Sequence, residues 1–203
     1  MHIEFIGLPG AGKSTCARDL IATHTGYVSA RNANRVLSVQ FIFLHPYTSF
    51  YWIVQMLRET IVSGTWKLMR FKMSLLLHTF AQTQFAVRTK ERVILDEGLM
   101  QRVLSVFETK KTEKDMVRIL KHVVMPDVLI EVSGGESTFG QGRKSAVHRG
   151  VLGDAYLVRW EEIARHNYQM LLRALQKIFA VHMKYNWHHD SVSDIHKRIE
   201  QYD

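Results

Sequence analysis

Nine residues near the N-terminus, Gly7-Leu8-Pro9-Gly10-Ala11-Gly12-Lys13-Ser14-Thr15, restrict the fold more than any other stretch of the chain. They read G-x-x-x-x-G-K-S. Met1 to Ile6 before them is a short apolar run with β character, and Cys16 to His24 behind them suits a helix. A strand that feeds a glycine loop and then a helix is the setting in which this pattern cradles phosphate. The loop turns backbone N–H groups toward a β-phosphate, and the helix N-terminus adds partial positive charge. Gly7, Gly10 and Gly12 let the backbone crowd the anion. Lys13 can reach the β/γ-phosphates and the Ser14 hydroxyl can ligate Mg²⁺. Gly7, Gly10, Ala11, Gly12, Lys13, Ser14 and Thr15 are therefore the candidate nucleotide-binding residues, with ATP and Mg²⁺ the expected ligands.

The 203 residues suffice for one α/β domain spanning 1–203, and 46% hydrophobic with 23% charged residues fits a globular chain. Cys16 is alone, so no internal disulfide forms; it reads as a small packing residue, and cysteine usage favours a reducing compartment. The N-terminus enters a strand without a signal-peptide pattern, so a cytoplasmic protein is expected. The net charge of +8 points to an anionic partner. A nucleotide with a polar or anionic small-molecule acceptor meets that need. No basic run exceeds Lys110-Lys111 and no aromatic-basic strand pattern occurs, so nucleic acid is not favoured. The apolar stretch from Val36 to Leu57 is interrupted by Gln40, His45-Pro46 and Thr48-Ser49. It makes a poor spanning helix and reads as buried helix or interface surface, with a membrane-contacting patch as the lesser alternative, while the apolar helices at 47–88 are a candidate homodimer surface.

Helices and strands alternate along the chain. Strand 2–6 leads to helix 13–23, and a short strand lies near 27–29. A helical block runs from about 47 to 88. Its first helix carries Phe50, Ile53, Val54, Leu57 and Ile61 at three-to-four spacing and ends near Gly64. Its second starts near Thr65 and carries Trp66, Met69, Met73, Leu76, Leu77 and Phe80 on one side. Arg92 to Asp96 is the next strand, followed by helix 99–108. Thr112 and Asp115 form a capping box that opens helix 113–122. Strand 127–132, a Gly-rich basic loop at 133–153, helix 156–179, strand 181–187 and helix 192–201 complete the reading. Strands separated by helices imply a mostly parallel, five-stranded sheet inside a three-layer αβα sandwich, with ligands at the strands' carboxyl ends.

In the glycine loop and in this order of elements the chain resembles the nucleoside and nucleotide (thymidylate kinase-like) branch of the P-loop kinases. The resemblance implies a P-loop NTPase fold, a helical acceptor-binding block at about 30–90, and a lid at about 133–153. It implies an ATP- and Mg-dependent kinase acting on a small molecule. The lids of such kinases carry arginines that close on the phosphates, and Arg143 and Arg149 stand where these are expected.

Asp96 and Glu97 end the strand that follows the block. A carboxylate there can hold Mg²⁺ or accept a proton from an attacking hydroxyl. The resembling families often have Asp-Arg here. Glu97 in place of the arginine disfavours a phosphorylated acceptor and favours a hydroxyl one. The candidate catalytic residues are thus Lys13, Asp96, Glu97, Arg143 and Arg149, with Ser14 and Asp96 on the metal. Arg102, one turn into the following helix, and Arg31 and Arg35, after the second strand, are candidate acceptor contacts; Asn32 and Asn34 can add hydrogen bonds. His188-His189-Asp190 does not read as a metal site, because adjacent residues rarely aim at one ion. The competing reading is a nucleotide-binding ATPase or switch protein acting on a protein or nucleic-acid partner. The N-K-x-D base-reading pattern of GTPases is absent.

Overall fold

The computed structural model describes residues 1–63, 66–133, 153–178, 182–186 and 189–202. Five strands, β1 (His2–Ile6), β2 (Tyr27–Ser29), β3 (Arg92–Leu95), β4 (Val128–Ser133) and β5 (His182–Asn186), form one sheet in the order β2-β3-β1-β4-β5. The pairings are parallel, with Ile3 of β1 opposite Ile94 on one side and Val128 on the other. All five residues of β1 are buried, the condition of a central parallel strand covered on both faces.

The described residues form eight α-helices: α1 (Lys13–Thr23), α2 (Arg35–Leu44), α3 (Pro46–Ser63), α4 (Trp66–Arg88), α5 (Leu99–Val106), α6 (Glu113–Leu120), α7 (Asp154–Ile178) and α8 (Val192–Glu200). The pleat splits the strands between two cores. On one face Ile3, Phe5, Ile94 and Ile130 pack with Ala17 and Leu20 of α1 and with Ile195 and Ile199 of α8. Cys16 is buried there, and burial pushes its thiol up to about 12, as befits a packing residue. On the other face Ile6 and Leu129 join a larger core with Trp52, Phe80, Val103 and Leu171.

Strands and helices follow the sequence reading closely except in the block before β3. There the structure adds α2, whose N-terminus is capped by Asn34 accepting the Leu37 N–H at 3.2 Å. Asn34 is thus spent on the helix, while the Asn32 side chain lies outside the described residues. His45 caps the other end and Pro46 opens α3, a position where a missing N–H costs nothing. Gly64 and Thr65, expected as the end of one helix and the start of the next, lie outside the described residues.

The apolar spacing finds α3 but not its buried face. Ser49, Trp52, Met56, Glu59 and Thr60 are buried, whereas Phe50, Val54 and Ile61 are exposed and Ile53 and Leu57 half-buried. Trp52 wins the inward position because its ring fills the core while its Nε1 donates to the His122 carbonyl at 2.7 Å. On α4, Leu68, Leu76 and Phe80 are buried, and Trp66 is exposed.

α4 also buries a cation. Lys72 meets the Glu108 carboxylate and donates to the Val106 carbonyl at 2.8 Å. The Tyr156 hydroxyl donates to the same carboxylate at 2.5 Å, and Glu59 of α3 accepts the Glu108 N–H at 2.9 Å. Burial pulls the Lys72 ammonium down, and Glu108 pulls it back. This cluster ties α3, α4 and α7 to the connection after α5.

α6 and α8 open on capping boxes: Thr112 with Asp115, and Ser191 with Asp194. The first is the box the sequence predicts.

Candidate functional site

β1 and β4 are neighbours whose chains leave in opposite directions, one toward β2 and the other toward β5. A crevice opens at the carboxyl ends of such a pair, and the glycine loop lies there. Gly10 and Gly12 adopt φ of 88° and 90°, backbone that L side chains rarely take. Gly7 is required for another reason: a Cβ on it would lie 2.5 Å from the Val132 carbonyl oxygen of β4. α1 starts at Gly12 with no side-chain cap and no acid in its first turn. The positive end of the helix is thus left uncompensated by any side chain of its own. Lys13 is buried and arches back over the loop, its Nζ donating to the Gly7 carbonyl at 2.8 Å and the Leu8 carbonyl at 3.0 Å. Ala11 is buried; Ser14 and Thr15 are half-buried in the first turn, where Thr15 N–H bonds the Gly12 carbonyl at 3.0 Å.

The sequence reading missed two residues that brace this loop. The Gly7 N–H donates to Oε1 of Gln101 on α5 at 3.1 Å. The Gln101 N–H in turn donates to Oε1 of Glu4 on β1, also at 3.1 Å. Glu4 is fully buried, and a Cβ on Gly98 would sit 2.3–2.7 Å from its carboxyl atoms. Burial raises Glu4 from 4.5 to about 8, opposed by the N–H groups of Gln101 and Met100 and by Arg102. The available signal was an acid in the middle of an apolar strand, followed much later by a glycine at a helix start.

Asp96 and Glu97 follow β3, next to β1 in a parallel sheet, so both lie at the same edge as the glycine loop. Arg31 donates to Asp96 Oδ2 at 2.9 Å. Arg102 is buried rather than exposed to an acceptor. Its Nε donates to Thr79 Oγ1 at 2.6 Å and its NH2 to Glu97 Oε2 at 3.2 Å. It therefore fastens Glu97 to α4. His78 joins this group, which the sequence reading did not anticipate: partial burial and the Arg102 charge hold its imidazole below the usual range, against the pull of Asp96 and Glu97. A cavity of about 180 Å³ abuts the Arg31–Asp96 pair. It runs along Ala17, Arg18 and Ile21 of α1 rather than against the helical block.

Lys13, Asp96, Glu97, Arg31 and Arg102 are thus gathered around one end of the sheet. Arg35, the first residue of α2, is exposed and touches none of them in the contacts described. Arg143, Arg149 and the segment expected as a lid lie outside the described residues apart from Ser133 and Gly153. Among the described residues no group of three or more His, Cys, Asp or Glu side chains is placed to hold a metal ion, and no helix is long and apolar enough to cross a membrane. No protein-family model matches the chain, and no curated protein matches its sequence.

Proposed function

We propose that this protein is a kinase that moves the γ-phosphoryl group of ATP to a hydroxyl of a small polar or anionic acceptor. The observation that carries the proposal is the beginning of α1: a helix N-terminus without its own cap, under two left-handed glycines, with a buried lysine arched over it. That arrangement suits a polyphosphate, since N–H groups, helix dipole and ammonium all favour negative charge at one point. The Ser14 hydroxyl and the Asp96 carboxylate are hard oxygen donors of the kind Mg²⁺ prefers, and the ion would neutralise charge on the phosphates.

Asp96 or Glu97 takes the proton of the attacking hydroxyl. The acceptor oxygen then bonds to the γ-phosphorus as the bond to the β-bridging oxygen breaks and ADP leaves. Arg102 supports this reading by fixing the Glu97 carboxylate against α4, so that the base is oriented before the acceptor arrives. Arg31 pairs with Asp96 Oδ2 at 2.9 Å, so acceptor or metal binding at that oxygen competes with it. Arg143 and Arg149 are proposed to close on the transferring phosphoryl.

A thermal-shift panel with Mg·ATP tests the proposal, run with nucleosides, sugars and their phosphates, each alone and with a non-hydrolysable ATP analogue. ATP at a hundred times its dissociation constant should stabilise the fold by about 2.7 kcal/mol, and one acceptor class should add to it. Lack of any nucleotide shift overturns the proposal. A nucleotide shift with steady hydrolysis and no acceptor points instead to an ATPase or switch protein.

A further inference from the structure

α2 and α3, on either side of His45–Pro46, each carry a row of exposed apolar residues. Val36, Val39 and Phe43 lie on α2, and Tyr47, Phe50, Val54 and Ile61 on α3, at spacings of three or four residues within each helix apart from the seven between Val54 and Ile61. Such spacing puts them on one face of each helix. That face points to solvent: Phe43 is 79% exposed, Tyr47 87% and Phe50 71%. Trp66, at the start of α4, is 69% exposed. Single exposed apolar residues are ordinary, but a periodic run of them marks a surface that meets something.

Charge says what that something is. Between Arg31 and Lys90 the chain carries a single acid, Glu59, and it is buried and paired with Lys111. Arg35, Arg58, Lys67 and Arg70 are exposed in the same block. Arg58 occupies the one charged place on the α3 stripe, between Val54 and Ile61. It also lines a concavity of about 500 Å³ with Lys110, Lys111, Arg118 and Lys121, where Asp115 is the lone acid. The side chains of Arg58 and Lys121 have no ionic or hydrogen-bonding partner among the described residues.

From the exposed apolar stripe and a rim of cations in which Asp115 is the lone acid, we propose that the α2–α3 face docks on an anionic lipid bilayer. The stripe sits at the headgroup boundary, with Tyr47 and Trp66 as the interfacial aromatics and the cations against the lipid phosphates. An uncharged apolar partner would leave the cations unused, and a second copy of this chain would bring a like-charged rim against them. The inference is independent of the proposed kinase activity.

Vesicle flotation of the full chain tests it without nucleotide. The vesicles are phosphatidylcholine alone or phosphatidylcholine mixed with phosphatidylglycerol. The chain should float with the anionic vesicles and stay behind with the neutral ones, and Trp66 emission should shift to the blue, a shift that Trp66→Phe removes. Phe43→Ser with Phe50→Ser, and separately Arg58→Glu with Lys121→Glu, should each weaken binding by roughly tenfold or more, with unchanged thermal melting. No flotation of the wild-type chain overturns the proposal, as does binding that neither pair reduces. A dimer in sedimentation velocity that Phe43→Ser and Phe50→Ser dissolve, without vesicle binding, assigns the face to a second copy and also overturns it.

Discussion

Helices α1 and α5 both begin on a glycine that offers no side chain to their first N–H groups, yet the two ends are completed differently. At α5 the neighbouring strand does it: the Glu4 carboxyl, buried in β1, accepts the Gln101 N–H. α6 and α8 complete themselves with capping boxes. At α1 no described side chain caps the helix, and the Lys13 ammonium arches over the loop, the opposite of what a helix N-terminus attracts. The contrast separates ends that hold the fold from the end at which we propose that an anion binds. A lysine at a helix N-terminus is unfavourable for the helix dipole, and an anion bound beside it would reverse that.

The contrast can be broken by substitution. The largest effect is expected from Lys13→Ala, which should lower phosphoryl transfer by about 10²–10³-fold and abolish the ATP-dependent thermal shift. Ligand-free stability should change much less, by about 1–3 kcal/mol, since the ammonium's bonds to the Gly7 and Leu8 carbonyls are lost. Retained transfer in that variant would falsify the phosphate-site reading.

Glu4 comes next. Its carboxyl ionises near 4.5 in the unfolded chain and at about 8 in the fold. The folded state therefore holds its proton longer, and the advantage, complete below 4.5, is lost as pH rises toward 8, at up to about 1.4 kcal/mol per pH unit. Glu4→Gln keeps an acceptor for Gln101 and removes the titration. Urea midpoints at several pH values should show the variant overtaking wild type between pH 5 and 8, a window set by those two values. Parallel curves would mean that Glu4 does not titrate in this range.

Gly98→Ala sharpens the comparison from the other side. Its new Cβ meets the Glu4 carboxyl within 2.3–2.7 Å, and overpacking of this kind costs about 1–3 kcal/mol. Equilibrium denaturation reads the loss directly; a variant as stable as wild type would show that the α5 end gives way. The smallest effect belongs to Thr112→Ala, a loss of about 1 kcal/mol at α6 with the ATP shift intact. An altered ATP response there would blur the distinction between the two kinds of helix end.

How far the sequence could be read followed from how unique each residue's role is. Gly10 and Gly12 are legible because few other residues accept their backbone, and β1 because its apolar run is buried on both faces. The capping box at α6 is legible because it is local. The buried face of α3 was not, because both of its faces are apolar. The spacing selects Phe50, Val54 and Ile61 as readily as Trp52 and Met56, and only packing against Phe80 and Leu171 decides between them. Arg102 reads from sequence as a contact for an acceptor; in the fold it is fastened to Thr79, 23 residues earlier, and to Glu97. Gln101 and Glu4 are 97 positions apart, beyond the reach of any local pattern.

The Lys72–Glu108 pair has a consequence for how this sequence drifts. Losing either partner alone strands a charge in the core, at a cost of about 3–5 kcal/mol, while exchanging both for apolar residues of similar volume is close to neutral. The two positions, 36 residues apart, should therefore change together. In diverged copies of this chain a lysine at 72 should come with an acid at 108. An aliphatic residue at 72 should come with a neutral one at 108 and, since Tyr156 then has no carboxylate to reach, often a phenylalanine at 156.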